Sequence, residues 1–469
     1  MQRAPLRPDH ISGFHAASHY VNFFSDPIKA VRNIQAQHGS FVVIHLPLPV
    51  RKFPHTAVMV AKPELNETIL NHPEIWRTVN IAAAGRRNHA SKRLSRGIVR
   101  MTGKRHAHYR KLILPPLRRS SIDEMGDDLI RIARAEIDTW PVAQPFDLWR
   151  RIRHLVQIYA ISLLFGDDRA RGFPIAELIS EGARQSWSLG VNVLRLDLPG
   201  TPFHRMLRNS ERLEEKILEW ADIKKSDEKC GRDLLSIIVN NPDENANPPD
   251  DATIVGHVPT LFGATYETCQ TTLIWTLILI SQHPDVANSL IDELQAEPGD
   301  APSSLSTINK LPLLDAVIKE SMRLMPPVPM QFRVAQQDTF LGTQELPKNS
   351  RALMSAFLTN RNPDIYHNAD QFIPDRWFAI KPTQFEYSAF SAGPRFCPGF
   401  YFGFAMVKVT LVSLLSRFYL SAVEGSRVDY KVRIAMMPGS AVNMVLGSHE
   451  SARPLHRLRG SINDLMEIH

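Results

Sequence analysis

The chain has 469 residues, of which 43% are apolar. That is enough for a large core, which excludes a disulfide-stapled mini-protein or a disordered tail. The 55 basic and 48 acidic residues leave a net charge of +7 that is scattered rather than blocked, which argues against a nucleic-acid partner. The three cysteines, Cys230, Cys269 and Cys397, form no pairing pattern and suit a reducing compartment.

The first twenty residues contain no apolar stretch with a cleavage site, so they do not read as a signal peptide. Residues 41–45 and 56–60 are rich in β-branched side chains and flank a Pro-rich turn, which predicts a β-hairpin. A short helix is expected over 64–71. Apolar residues then recur at three- and four-residue steps over 122–140, 148–165 and 203–225, each predicting a helix. Residues 240–251 are a polar Asn/Pro/Asp connector. The longest helix is expected over 251–282. It is apolar on nearly all faces and should cross the middle of the fold. Its most apolar run, residues 271–280, has about half the length of a bilayer span and reads as buried core, not as an anchor. Further helices are expected over 311–325 and 400–418, with strands and turns between 328 and 374. A β-rich segment over 429–446 contains a turn at Met437-Pro438-Gly439. The reading is one mainly α domain over 1–449, with β-rich parts at 38–62, 328–374 and 429–446, and a frayed polar tail over 450–469. It predicts a cytoplasmic monomer.

Residues 390–399 read FSAGPRFCPG, directly before a helix. Cys397 thus lies at a helix N-terminus, where unpaired N–H groups and the helix dipole favour an anion and lower a thiol pKa. Gly399 permits close backbone approach to the sulfur, Gly393 permits a tight turn, and Arg395 adds a cation. One thiolate without Cys or His partners makes a poor zinc site. It suits axial ligation of haem iron. Cys230 lies in a polar turn and Cys269 on the central helix; both read as structural.

Phe390, Gly393, Arg395, Cys397 and Gly399 complete the pattern F-x-x-G-x-R-x-C-x-G, and here the sequence resembles the cytochrome P450 family of haem-thiolate monooxygenases. The resemblance implies a helical prism with haem b between the central helix and the helix after the cysteine loop. It implies iron ligation by Cys397, with Phe390 and Gly399 in the haem-binding loop. It points to His106, Arg110, Arg333 and Arg395 as partners of the haem propionates. His106 and Arg110 are four residues apart and share a helix face. The Glu320-x-x-Arg323 pair and Arg376 match the family's structural triad, which braces the cysteine loop.

On the central helix the resemblance assigns Glu267 and Thr268 to proton delivery, an acid–alcohol pair beside bound dioxygen. Thr265 stands where the family has glycine and would narrow the oxygen groove. Pocket walls follow by analogy: 80–100, 186–198, Ala264, 328–332, with Val328, Met330 and Phe332 singled out, and residues 436–441, including Met437. Their mostly apolar character implies a lipophilic substrate. Arg86, Arg87, His89, Lys92 and Arg93 read either as a guide for an anionic group or as a solvated basic loop. Lys104, Arg105, Lys111, Arg118 and Arg119 form a basic strip suited to a negatively charged ferredoxin or flavodoxin served by a reductase. Two other readings stay open: a peroxide-driven or isomerising haem-thiolate enzyme, and a non-catalytic haem-binding protein.

Overall fold

The computed structural model describes residues 6–45, 55–79, 89–186, 188, 191, 195–226, 231–296, 304–450 and 454–467. In chain order, β1 (Asp9–Ile11), α1 (Gly13–Ser25) and α2 (Pro27–His38) precede β2 (Phe41–His45) and β3 (Thr56–Val60). Then follow α3 (Pro63–Asn71), β4 (Trp76–Thr78), α4 (Ala90–Arg93), α5 (Gly103–Ile113), α6 (Arg119–Glu124), α7 (Gly126–Ile137), β5 (Pro145–Asp147) and α8 (Leu148–Phe165). A helical stretch comprises α9 (Arg169–Ser186), α10 (Pro202–Ser226), α11 (Leu234–Asn240), α12 (Asp251–Gln282), α13 (Pro284–Gln295), α14 (Leu305–Ile308) and α15 (Pro312–Leu324). The remainder is β6 (Met330–Ala335), β7 (Thr339–Leu341), β8 (Gln344–Leu346), β9 (Arg351–Ser355), α16 (Ala356–Thr359), α17 (Arg376–Ala379), α18 (Phe400–Leu415), β10 (Phe418–Ala422), β11 (Tyr430–Val432), β12 (Met436–Pro438) and β13 (Asn443–Ser448). The architecture is mostly helical with small sheets, as expected.

Helix α12 has the predicted bounds. Asp250 caps it by accepting from Thr253 N, and it packs on α8, α10, α15 and α18. Its close neighbour is the segment after α4. A Cβ at Gly97 would lie 2.3 Å from Gly256 O, and one at Gly256 would lie 2.8 Å from Gly97 N. Two glycines thus let this backbone rest directly on α12. The main sheet has strand order β1-β2-β3-β9-β6-β4. Strands β2 and β3 pair antiparallel as predicted, with Val43 opposite Val58; the Pro-rich turn between them lies outside the described residues.

Several expectations change. The sequence reading passed over α1, α2 and α9, although Asp26-Pro27 is a legible start: Asp26 Oδ1 accepts from Ile28 N and Lys29 N. The helix expected over 122–140 breaks at Met125 into α6 and α7. Helix α18 stops at Leu415, because Phe418 already pairs with Ser448 of β13. Met437 and Pro438 form no turn. They lie in β12, where Lys431 faces Met437 and Tyr430 faces Pro438 across the β11–β12 pair.

The segment read as a frayed tail is docked over 454–467. Leu458, Ile462, Leu465 and Met466 are buried in the main core. Gln282 Oε1 accepts from Leu458 N at 3.0 Å, and Arg361 donates to Leu465 O at 3.0 Å. Four apolar side chains spaced through a polar stretch were the overlooked signal. Ile462→Ala should therefore destabilise the protein by about 2–5 kcal/mol, read as a lower Tm. An unchanged Tm would return this segment to the status of a tail.

His257 is buried on α12, donating Nδ1–H to Thr253 O at 2.8 Å, and burial pushes its pKa down to about 4. The folded chain holds it neutral while the unfolded chain takes up a proton below its ordinary value. Stability from this group is thus full at neutral pH and falls as pH drops from 6.5 toward about 4. Denaturant unfolding should show about 2 kcal/mol less loss in His257→Gln than in the parent when the pH falls from about 7 to about 5.

Candidate active site

The loop before α18 is built on its own backbone. Cys397 N donates to Phe390 O at 2.9 Å and Phe396 N to Gly393 O at 3.0 Å. Gly393 has φ +59°, and a Cβ there would sit 2.7 Å from Asn71 Oδ1 of α3, so the predicted tight turn does demand glycine. Phe390 packs edge-on against Phe400 at 4.8 Å and also meets Phe404. Gly399 is the N-cap of α18, and its N–H points at the Cys397 sulfur.

The electrostatics of that sulfur correct the sequence reading. Burial pushes the Cys397 thiol up, and the Gly399 N–H and the Arg110 charge oppose this without reversing it. Helix-terminal dipoles alone therefore do not hold a thiolate here; a bound metal would, since a coordinating thiol is deprotonated outright. The cation acting on the sulfur is Arg110. Arg395 instead reaches Met101 O at 2.6 Å.

Four predicted residues do converge. Arg110 of α5 donates to Phe396 O at 2.8 Å, and Arg333 of β6 donates to Phe332 O at 3.0 Å and to Gln331 Oε1 at 3.3 Å. Burial, then Arg395 and Arg110, push His106 down to about 4. Burial and Arg395 push Arg333 down to about 10. Arg395 is lowered by burial and Arg110, and Arg110 by burial against the Cys397 charge. Among the described residues, no carboxylate figures among the charges acting on these four groups. Three crowded, partly buried guanidiniums without a carboxylate partner call for one. The two propionates of haem match that demand. Space is also present: a Cβ on Gly399 or on Gly263 of α12 would meet nothing within 4 Å, and Ala264 is exposed midway along a core helix. The residues fit a haem between α12 and the cysteine loop.

The polar step on α12 faces both ways. Thr268 donates to Ala264 O at 2.7 Å. Glu267 Oε2 accepts from Gln270 Nε2 at 3.0 Å; burial raises its carboxyl pKa, opposed by Arg153, Gln270 and Arg433. Met436 N donates to Pro327 O at 3.1 Å, which brings the segments carrying Met437 and Val328 together. Met330 and Phe332 alternate to the β6 face opposite Arg333, where Phe332 meets Phe23 of α1 edge-on at 6.2 Å. Gln331, inside the expected 328–332 wall but given no part of its own there, shares Arg333's face and also accepts from Ser391 Oγ at 3.2 Å. Period-two alternation from Arg333 would have found it.

The triad is assembled around one carboxylate. Glu320 Oε1 accepts from Arg323 NH2, Arg376 Nε and Ile373 N, each at 2.9 Å. Its Oε2 accepts from Arg323 Nε at 2.9 Å and from the unanticipated Trp377 Nε1 at 3.0 Å. The basic clusters are less free than the sequence suggested. His89 and Arg93 pair with Glu211 and Glu214 of α10, while Arg86 and Arg87 lie outside the described residues, as do Cys230 and parts of the 80–100 and 186–198 walls. Arg105 lies 3.7 Å from Glu244, and Arg119 lies 3.9 Å from Asp123; Lys104, Lys111 and Arg118 remain exposed.

A helical prism wrapped round a cysteine loop and a buried cation cluster is the frame of a haem-thiolate protein. The family profile of Cytochrome P450 matches residues 24–439, and the chain belongs to that family. It is 25% identical over 440 residues to cyclooctatin synthase of Streptomyces melanosporofaciens, covering 91% of this chain and 93% of that one. Cytochrome P450 137 of Mycobacterium tuberculosis is 27% identical over 326 residues, 68% of this chain and 66% of that one. In fold it resembles cyanobacterial CYP120A1 solved with retinoic acid, with TM-score 0.79 and 20% identity over 95% of this chain and 100% of that one. The chain is a cytochrome P450 monooxygenase, using haem iron, dioxygen and electrons from a redox partner. Among the described residues, no helix is long and apolar enough to cross a membrane.

Glu320→Ala should leave Arg323 and Arg376 buried without their carboxylate, at a cost of about 3–5 kcal/mol. Haem content and Tm of the purified variant should both collapse. Near-parental values would mean that the carboxylate is not the brace.

Proposed function

We propose that this chain is a haem b–thiolate monooxygenase that inserts one oxygen atom into a lipophilic small molecule, by hydroxylation or epoxidation. Electrons would come from a separate ferredoxin or flavodoxin with its reductase. The observation that carries the reading is Cys397 in the loop before α18, beside guanidiniums that lack a carboxylate partner among the described residues, with room for a further group at Gly399 and at Gly263 of α12. Haem bound there supplies the activation of dioxygen. The substrate RH, dioxygen, two protons and two electrons give ROH and water, the electrons arriving from the protein donor.

The chain's own residues have distinct parts in this scheme. Cys397 would hold the iron through its sulfur. Arg110, Arg333 and Arg395 would neutralise the propionates, His106 would donate a hydrogen bond to one of them, and Arg suits that work because its fork matches a carboxylate. Thr268 already donates to Ala264 O, so its oxygen lone pairs are turned to the open side as acceptors, and rotation of the hydroxyl offers the proton there. Glu267 supplies that proton from behind. Ala264, Val328 and Met437 present an apolar wall that admits a lipophilic molecule and excludes water. Met330 and Phe332 would limit the pocket from the α1 side. Exposed Lys104, Lys111 and Arg118 support docking of an acidic donor close to α5.

Cys397→Ala should abolish the red-shifted Soret band of the ferrous carbonyl complex. Retention of that band would refute the thiolate assignment. Product formed at full rate with peroxide, and none with the electron-donor chain, would instead make this a peroxide-driven enzyme.

A further inference from the structure

A polar cleft of ≈ 820 Å³ lies between α8, α9 and α10 and ends on α12 at Tyr266. Its walls carry Arg153, Glu177, Glu181, Arg184, Arg212 and Glu215. Such a lining suits water and ions, not a lipophilic substrate. At the inner end Arg153 Nε donates to Tyr266 Oη at 3.1 Å. Tyr266 keeps its own O–H to donate, and the next residue is Glu267. The electrostatic partners of Arg153 are Tyr266, Glu267 and Asp147, so this cation is directed at the acid-bearing turn of α12. Otherwise α12 is closed on this side: Phe262 stacks on Tyr266 with ring centroids 5.3 Å apart, and the residues from Leu273 to Ile280 are buried.

We propose that Arg153 is a positioning residue for proton delivery, holding Tyr266 and Glu267 at the inner end of this cleft so that cleft water recharges the Glu267 carboxyl. This rests on the part given above to Glu267 and Thr268. The step is a proton transfer only. A hydronium proton from the cleft replaces the one that Glu267 passes toward Thr268, and the electrons enter separately from the donor protein. A carboxyl that alternates between charged and neutral forms in a buried place needs a partner that keeps the charged form attainable, and Arg153 stands where it can do so. The tyrosine hydroxyl, held by Arg153, offers a fixed donor and acceptor at the inner end of the cleft, one residue from the acid.

The test needs no known substrate. With electrons supplied electrochemically to the holoenzyme, dioxygen leaves either as peroxide or, after further protonation, as water, and the peroxide share reports proton supply. Arg153→Gln and Tyr266→Phe should each raise that share by about threefold, in the same direction as Glu267→Gln. Arg153→Lys should recover most of it, and haem content and the ferrous carbonyl band should stay parental. A shift in Glu267→Gln with none in Arg153→Gln and Tyr266→Phe overturns this inference and leaves the acid's part intact. No shift in Glu267→Gln overturns both. Should Arg153→Gln lose haem, Tyr266→Phe decides: a parental peroxide share there makes Arg153 merely structural.

Discussion

The structure hangs on one buried carboxylate. Glu320 accepts from two arginines, a tryptophan and a backbone N–H, and its side chain is fully shielded from water. What it organises is the path to the sulfur. Arg323 also donates to Asn360 O at 3.0 Å, and Asn360 Oδ1 accepts from Ser388 N at 2.8 Å, two residues before Phe390. Tyr387 Oη donates to Lys319 O at 3.1 Å beside the same glutamate. Phe390 O then holds Cys397 N. A chain of hydrogen bonds therefore runs from Glu320 to the cysteine loop. A buried ion pair adds little net stability, because desolvation offsets its attraction, but it is costly to break. Here the benefit is a single geometry for the loop.

Around that loop the charge balance is deliberately incomplete. Arg110, Arg333 and Arg395 satisfy part of their N–H inventory on carbonyls of Phe396, Phe332 and Met101. Carbonyls orient guanidiniums but do not neutralise them. The thiol is in the complementary position: burial resists its ionisation until something cationic binds it. Protein cations without an anion, and a sulfur awaiting a metal, are the two halves of one requirement. A haem carrying iron and two carboxylates meets both at once, so binding the group should also relieve the electrostatic cost of the folded site.

Much of this was legible because it depends on local pattern. The bounds of α8 and α12 follow from apolar periodicity and from Asp caps at Asp147 and Asp250. The cysteine motif, the Glu320–Arg323 spacing and Arg376 are carried by residue type in fixed register. What escaped was set by tertiary contact. The docking of Leu458 and Ile462 and the β12 pairing of Met437 depend on partners distant in sequence. The rise in the Cys397 thiol pKa depends on burial, which a motif does not report, and the neutralisation of Arg93 by Glu214 joins residues 121 positions apart. Arg153 illustrates the same limit: nothing in its neighbourhood, LWRRIRHL, distinguishes it from the other arginines there until α8 is laid against α12.

Helix α12 explains how one element serves two compartments. Residues 264, 265 and 268 share a face by their three- and four-residue spacing, and all three are partly or fully accessible on the open side. Tyr266 lies on another side, facing the polar cleft. Glu267 sits between these sides in sequence and is held by Gln270 one turn on. A helix of 32 residues that is otherwise buried would admit neither dioxygen nor protons. Glu267 and Thr268, adjacent in sequence, place the acid and the alcohol at a single level of the helix. Thr265 then has a physical consequence. A β-branched residue with a hydroxyl adds volume and a hydrogen-bonding group on the open face where glycine would leave room.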